Sequence, residues 1–473
     1  MDSRDDRPMT TTTGAVRRHE IEVLDPATRT AITTVARATA ADVEAAVGIA
    51  RRAAHDWAAT SASDRGAVLG RWADLMAGRA EQLGAVEARD VGKPLGGGIL
   101  NVYIASGIVR YFAGAADKIT GVTLPTRSPD FHGYTLREPL GVCGVIIPWN
   151  VPAVLTAANV APALAAGNTV VLKPSEVAPL VAIEMAALAA EAGLPEGVLQ
   201  VVTGDGVAGA ALSGHPGIDH VSFVGSTSTG RAVAAAAAAN LVPAKLELGG
   251  KSANVVFADA DLDTAIPAIV GSITEDSGQN CYAGSRLLVA SAIADEVRDR
   301  VVAAMSTLRL GAWDEGADLG PLVSATQHAR VRGFLDELPG TGARVLTGGG
   351  SPEGWYVEPT AVDGLAPDAR LLREEVFGPV LAIQTFTGDD EALALADGTD
   401  FGLLTCLWTA DVSRALRAAA AVRTGQVSVN QFADAGVIGF PFAMQKASGY
   451  ARGVGHEALR EYTREKGVAV KLG

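Results

Sequence analysis

Between Gly141 and Asn240, short apolar runs alternate with segments of helical length. VCGVIIP precedes a helix predicted from about Pro152 to Gly167, and NTVVLK precedes another over residues 179–192, ended by Gly193 with Pro195 beyond. VLQVV, a short helix over 207–212, HVSFVG and a helix over 227–240 complete the series. Apolar runs of this kind need burial on both faces, and a parallel sheet covered by its own crossover helices provides it. The fold class is therefore α/β, with a parallel sheet at this point in the chain.

A second α/β stretch follows Glu247. It contains ANVVF, RLLVA, a helix over 293–308, a helix over 324–338, and the later strands PVLAIQTF, LLTCLW and QVSVN. Before the first stretch, residues 18–24 read as a strand and Asp25-Pro26 as a turn. Thr39 resembles an N-cap with Asp42 at the third helical position, and Val43, Val47, Ala50, Ala54 and Trp57 follow at helical spacing. Further helices are predicted from near Ser63, with Val68, Trp72, Leu75 and Arg79 along one stripe, over 79–91 and over 96–114. This helical block reads as scaffold. Phe131 to Glu138 alternates and stops at Pro139, which suits an exposed hairpin. The terminal EKGVAVKL reads as a last strand whose partner is that hairpin or another subunit.

At 473 residues the chain is too long for one core. A net charge of −14 argues against nucleic-acid binding. The alanine-rich run 231–240 is too short to span a bilayer, so no membrane partner is expected. The first 14 residues have no apolar core, do not read as a signal peptide and are expected to be disordered. Three cysteines give no disulfide framework, which favours a reducing, cytoplasmic setting. The seven histidines are scattered and show no metal-ligand spacing, so no metal is expected.

Several stretches could carry chemistry. EDSGQNCYAGSR sets Cys281 among Gly278, Gln279, Asn280, Gly284 and Ser285. A buried thiol is inert; a thiol in a polar, Gly-flanked setting is one that can be reached and ionised. KLELGGKS places Glu247 at the end of an apolar strand, where a carboxylate can act as general base. IIPWN ends a strand at Asn150, which is either an oxyanion donor or an Asx-turn residue. In KPSE, Lys173 and Glu176 suit ribose hydroxyls, and Ser175 equally suits a helix N-cap. FVGSTSTG is a strand, a Gly turn and a helix start suited to a pyrophosphate, although it meets neither GxGxxG nor the Walker pattern. EEVFGPV is a ligand loop or an ordinary surface loop.

Taken in this order, PWN, KPSE, FVGSTSTG, LELGGKS, GQNC and EEVFGPV resemble the aldehyde dehydrogenase superfamily, over about Glu22 to Lys471. The resemblance implies that Cys281 is the nucleophile, attacking the aldehyde to give a thiohemiacetal and then a thioester. Asn150 and the Cys281 N–H match the oxyanion hole, and Glu247 matches the base that activates water. The implied cofactor contacts are Ile146, Ile147, Pro148 and Trp149; Lys173, Ser175 and Glu176 at the adenosine ribose; Gly206; Phe223, Gly225, Ser226 and Thr229 at the pyrophosphate; Leu248 and Gly249; and Glu375 and Phe377 at the nicotinamide ribose. A carboxylate at Glu176 disfavours a 2′-phosphate, so NAD is preferred to NADP. The implied substrate contacts are Val151, Val154, Leu155, Ala158, Asn280, Tyr282 and Phe442, with the loop 432–442. No charge lies among them and the side chains of Val151 and Ala158 are small, so a bulky or extended apolar aldehyde is expected. Near the C-terminus PFAMQKASGYARG departs from the usual pattern, with Ala443 and Met444 in place of two glycines and Gly453 in place of a glutamate; Asp276 stands where Asn is common.

The layout the resemblance implies is a disordered tail (1–14), a Rossmann-like cofactor-binding domain (15–119 and 140–246), an α/β catalytic domain (247–448) and a small β oligomerisation element (120–139 and 456–473). The last implies a homodimer or homotetramer. The expected reaction is NAD(P)+-dependent oxidation of an aldehyde to its acid. The alternatives are a coenzyme A-acylating enzyme, which Glu247 disfavours, a non-catalytic relative of the fold, and a plain thiol esterase.

Overall fold

A computed structural model describes residues 20–433 and 437–473. The expected tail, residues 1–14, lies outside the described residues. The chain opens with an antiparallel ribbon, β1 (Glu20–Leu24) and β2 (Ala31–Ala36), followed by α1 (Ala40–Ala59), α2 (Ala62–Gly78), α3 (Ala80–Val91) and α4 (Leu95–Ala115). Next come β3 (Thr123–Leu124), β4 (Phe131–Pro139), β5 (Val142–Ile146), α5 (Pro152–Ala165), β6 (Thr169–Lys173), α6 (Leu180–Glu191), β7 (Leu199–Val201), α7 (Gly206–Ser213), β8 (His220–Val224), α8 (Thr227–Ala239) and β9 (Ala244–Glu247). The second half holds β10 (Ala253–Val256), α9 (Leu262–Thr274), β11 (Arg286–Ala290), α10 (Ala294–Ser306), α11 (Ala325–Asp336), β12 (Arg344–Thr347), β13 (Thr360–Asp363), α12 (Arg370–Arg373), β14 (Val380–Phe386) and α13 (Asp389–Asp397). It ends with β15 (Phe401–Gly402), β16 (Leu404–Trp408), α14 (Val412–Ala421), β17 (Gln426–Val429), β18 (Gln445–Lys446), β19 (Gly449–Tyr450), α15 (His456–Glu461) and β20 (Thr463–Lys471).

Two large sheets result. One runs β19-β9-β8-β5-β6-β7, parallel except for β19; the other runs β12-β13-β14-β11-β10-β16-β17, parallel except for β12. The continuous apolar strands behave as their composition demands: β5, β6 and β8 are buried at every residue. Each such Val or Leu removed from water contributes roughly 1.5–3 kcal/mol. The helical block lies over the first sheet. There Trp57 donates its indole N–H to the Leu164 carbonyl and Trp72 donates to Met185, which fastens α1 and α2 to α5 and α6. By length and composition α4 and its continuation to Lys118 could cross a bilayer, yet here the helix packs on α2, α3 and α5.

The ends of α5 and α6 are capped from outside. Val151 and Pro179, at their N-caps, supply no side-chain acceptor. Instead α3 presents Glu87 and Asp90 on one face: Glu87 accepts from the Ala153 N–H at 3.0 Å, and Asp90 from the Leu180 N–H at 2.8 Å. Burial pushes the Asp90 carboxyl up to about 8. Ser175 is therefore not a helix N-cap, because the helix begins at Leu180. Pro174 and Pro179 bracket the segment and disfavour helix just before each, and Ser175 closes only a local turn with the Val177 N–H.

Predicted helix bounds shift by one or two residues elsewhere, and Arg79 ends α2 instead of lying on its stripe. The C-terminal strand does pair with the hairpin: β20 runs antiparallel to β4 from Thr463–Pro139 to Lys471–Phe131. The expected boundary at residue 456 differs from the observed packing. Ala458, Leu459 and Tyr462 sit in the core under the first sheet, and only β20 belongs to the three-stranded β20-β4-β3 sheet.

Candidate active site

β9 ends at Glu247, and Gly249 and Gly250 follow because nothing larger fits. A Cβ on Gly249 would stand 2.4 Å from the Glu375 carboxylate, and one on Gly250 2.3 Å from the Cys281 carbonyl. The end of β9 is thus pressed against the loop that carries Cys281. That loop leaves α9 through Asp276, Ser277 and Gly278, three successive residues with left-handed backbone (φ 51°, 57° and 71°), and is pinned by Ser277 Oγ on the Gly320 carbonyl. Cys281 emerges half-buried, its Sγ 3.7 Å from Asn280 Oδ1.

Cys281, Asn150 and Glu247 line one cavity of about 780 Å³. Asn150 is only 3% exposed and its carboxamide oxygen meets no donor, so it is not an Asx-turn residue. Glu247 Oε1 lies 2.7 Å from Lys245 Nζ, two residues back on the same face of β9, but the pair is misaligned for a hydrogen bond. Burial is the largest influence and would depress the Lys245 ammonium; Glu247, with Tyr462 and Glu461, together outweighs it and the pKa rises. At Cys281 burial comes first and the Glu375 and Glu247 carboxylates add to it, holding the thiol well above its ordinary range. The backbone N–H groups of Tyr282 and Cys281 itself oppose that rise.

On one side of this trio the cavity is walled by Pro148, Trp149, Gly225, Ser226, Leu248, Gly249, Glu375 and Phe377. Trp149 and Phe377 meet edge to face at 5.3 Å. Phe377 holds a left-handed φ of 61° because α11 braces its loop, Gln327 donating to the Phe377 carbonyl at 2.7 Å and Arg330 to that of Glu375. Burial pushes the Glu375 carboxyl up to about 7 against the Gly250 N–H, Arg330 and Lys251. Ser226 caps α8 by accepting from Thr229 N–H, and Thr227 and Ser228 face the cavity, so the helix offers an anion the free N–H groups of its first turn.

On the other side lie Val151, Val154, Leu155, Ala158, Asn280, Tyr282 and Phe442, as expected, together with Tyr103, Ile104, Ile108 and Val454. Residues 437–440 of the expected loop join them, while residues 434–436 lie outside the described residues. The expectation of an uncharged lining changes here: Glu275 and Asp276 line the cavity too. Asp276 is the residue that stands where Asn is common, whereas Glu275 carries no sign in the sequence beyond its place before Cys281.

Other expected cofactor residues lie off the cavity wall. Ile146, Ile147 and Phe223 are buried, Lys173 pairs with Glu176 at 3.2 Å at the end of β6 with Ser175 beside it, Gly206 opens α7, and Thr229 sits in the first turn of α8. They belong to the same edge of the sheet, where strand C-termini meet helix N-termini. Among the described residues no group of three His, Cys, Asp or Glu side chains could hold a metal.

The sequence matches the family model described as the aldehyde dehydrogenase family over residues 13–468. The chain belongs to this family. It is similar to a Burkholderia cenocepacia structure assigned as an aldehyde dehydrogenase (44% identity, 96% of this chain and 97% of that one, TM-score 0.94). It is also similar to PnpE from Pseudomonas sp. WBC-3, solved alone and in complex with nicotinamide adenine dinucleotide (40%, 96% and 94%, TM-score 0.94). A betaine aldehyde dehydrogenase from Staphylococcus aureus in complex with NAD+ matches at 33% (96% and 92%, TM-score 0.93). The fold is that of NAD-binding aldehyde dehydrogenases, and this aldehyde dehydrogenase keeps a thiol, a carboxamide and a carboxylate on one cavity.

Proposed function

We propose that the enzyme oxidises a bulky or extended, largely apolar aldehyde to its carboxylic acid with NAD+. The observation that carries this reading is the meeting of Cys281, Asn150 and Glu247 on a cavity that continues from the α8 N-terminus to an apolar wall. NAD+ fits the first arm: the Gly225 turn and helix terminus suit its pyrophosphate, Glu375 its nicotinamide ribose, and Trp149 and Phe377 flank the path to Cys281. When bound, NAD+ accepts the hydride. Glu176, paired with Lys173, disfavours a 2′-phosphate and so NADP.

The protein's own part follows. The Cys281 thiol gives up its proton, for which Glu247 is the acceptor on the same cavity, and Sγ bonds to the aldehyde carbon. The developing oxyanion is met by the Asn150 amide and the Cys281 N–H. Glu247 passes that proton to solvent; once hydride has left, a thioester remains on Sγ, and Glu247 takes a proton from water as it attacks and returns it to the departing sulfur. The carboxylic acid departs and the thiol is restored. Glu247 also favours water over coenzyme A as acceptor.

A second reading of the substrate rests on Glu275. Among the described residues its side chain has no hydrogen-bond or ion-pair partner, and it lines the cavity beside Asp276 and Asn280 among mostly apolar side chains. It suits an aldehyde bearing a hydroxyl or cationic group at a distance from the carbonyl. One assay separates these readings: reduced nicotinamide is followed with short, long-chain, aromatic, hydroxylated and amino aldehydes, with and without coenzyme A, alongside Cys281→Ala. Turnover of apolar aldehydes without coenzyme A, lost in Cys281→Ala, is expected. A higher kcat/KM for acetaldehyde than for every larger aldehyde would overturn the substrate class, and turnover only with coenzyme A would overturn hydrolysis.

A further inference from the structure

Lys93 is 1% exposed on its side chain and lies between two buried carboxylates, Glu87 Oε1 at 3.2 Å and Asp276 Oδ1 at 3.0 Å. A buried ammonium is costly unless paired, and these three groups compensate one another across elements remote in sequence. Each carboxylate leads to a different half of the catalytic apparatus. The other oxygen of Glu87 caps the Ala153 N–H at the start of α5, where no local side chain does so, and Asn150 immediately precedes the N-cap, Val151. Asn101, which also lines the cavity, donates to Glu87 Oε1 at 2.6 Å. Asp276 opens the left-handed turn that delivers Cys281.

We infer that Lys93 is a positioning residue: the chain Ala153–Glu87–Lys93–Asp276 sets the Asn150 amide against the Cys281 nucleophile loop, fixing the width of the oxyanion site. The inference rests on the proposed role of Asn150. Ions rather than hydrogen bonds alone suit this task, because the two loops belong to different sheets and share no strand pairing. A displacement of about 1 Å at such a site costs on the order of 10²-fold in rate.

The test is a double-mutant cycle on kcat/KM between Lys93→Met and Asn150→Ala, with NAD+ binding and the melting temperature measured for each variant. Asn150→Ala is expected to lose about 10²–10³-fold, as removal of one oxyanion donor does. Lys93→Met is expected to lose about 10²-fold with NAD+ affinity unchanged. The combined variant should fall no more than a few-fold below Asn150→Ala alone, because Lys93 acts through that amide. Multiplied losses, or no loss in Lys93→Met, overturn the inference while leaving the oxyanion assignment standing. An unimpaired Asn150→Ala overturns the oxyanion assignment itself, and the inference with it. Should Lys93→Met fail to fold, Glu87→Gln, which keeps the shape of the cap and removes its charge, carries the same cycle and the same criteria.

Discussion

Cys281 rests among groups that resist its ionisation, first by burial and then through the Glu375 and Glu247 carboxylates. A thiol held neutral is protected from adventitious alkylation and depends on a base when substrate arrives. Removing one carboxylate should therefore separate reactivity from catalysis. In Glu247→Gln the rate of iodoacetamide alkylation at pH 7 is expected to rise, since a like charge is gone, while aldehyde turnover falls about 10²–10³-fold with the loss of the base. Slower alkylation with unchanged turnover would contradict both assignments. Glu375 gives a pH test. Its carboxyl, pushed up to about 7, is protonated below that value and ionised above it. If Glu375 accepts from the ribose hydroxyls as proposed, NAD+ binding should strengthen as pH rises from 6 to 8, and Glu375→Gln should flatten the dependence measured by titration of NAD+ binding.

At the scale of elements, the turn after β9 divides its labour between neighbouring glycines. A side chain at Gly249 meets the flexible end of Glu375, whereas one at Gly250 meets the backbone of Cys281 itself. Gly249→Ala should raise the KM for NAD+ about tenfold with little change in kcat, and Gly250→Ala should lower kcat by about 10²-fold, as a small misplacement of the nucleophile does. Steady-state kinetics of the two variants checks the split; matching effects would refute it. The sequence made much of this legible. Apolar runs without alternation marked the strands, and Thr39 with Asp42 marked a capping box that is present in full. The joint motifs located Cys281, Glu247 and Asn150. What stayed hidden are relations made only by folding. Lys93 and Asp276 carried no local sign of their pairing, and Lys245 gave no sign that it would sit behind Glu247. KPSE offered a sound N-cap pattern that two prolines overrode, the helix beyond taking its cap from Asp90.

At the scale of the molecule, the small sheet makes an exposed ledge. β4 and β20 pair over nine residues, with Phe131, Leu136 and Val470 exposed along them. Such an edge invites a further strand. A stop codon after Tyr462 would strip β4 of that partner while leaving α15 and Tyr462 in the core. The truncated chain is expected to aggregate, where the full chain is expected to elute as a discrete oligomer by light scattering. Identical elution of the two would remove β20 from any role in assembly.

The return of the chain to β9 has a consequence for biosynthesis. Gly449 and Tyr450 pair with Glu247 and Leu246, and Tyr462 packs into the core behind them. The first sheet can gather as soon as its strands leave the ribosome, yet its outer strand stays uncovered until almost the whole message has been read. Because Glu375, Phe377 and the β19 return all lie late in the chain, the cavity around Glu247 is completed as one of the last events of translation.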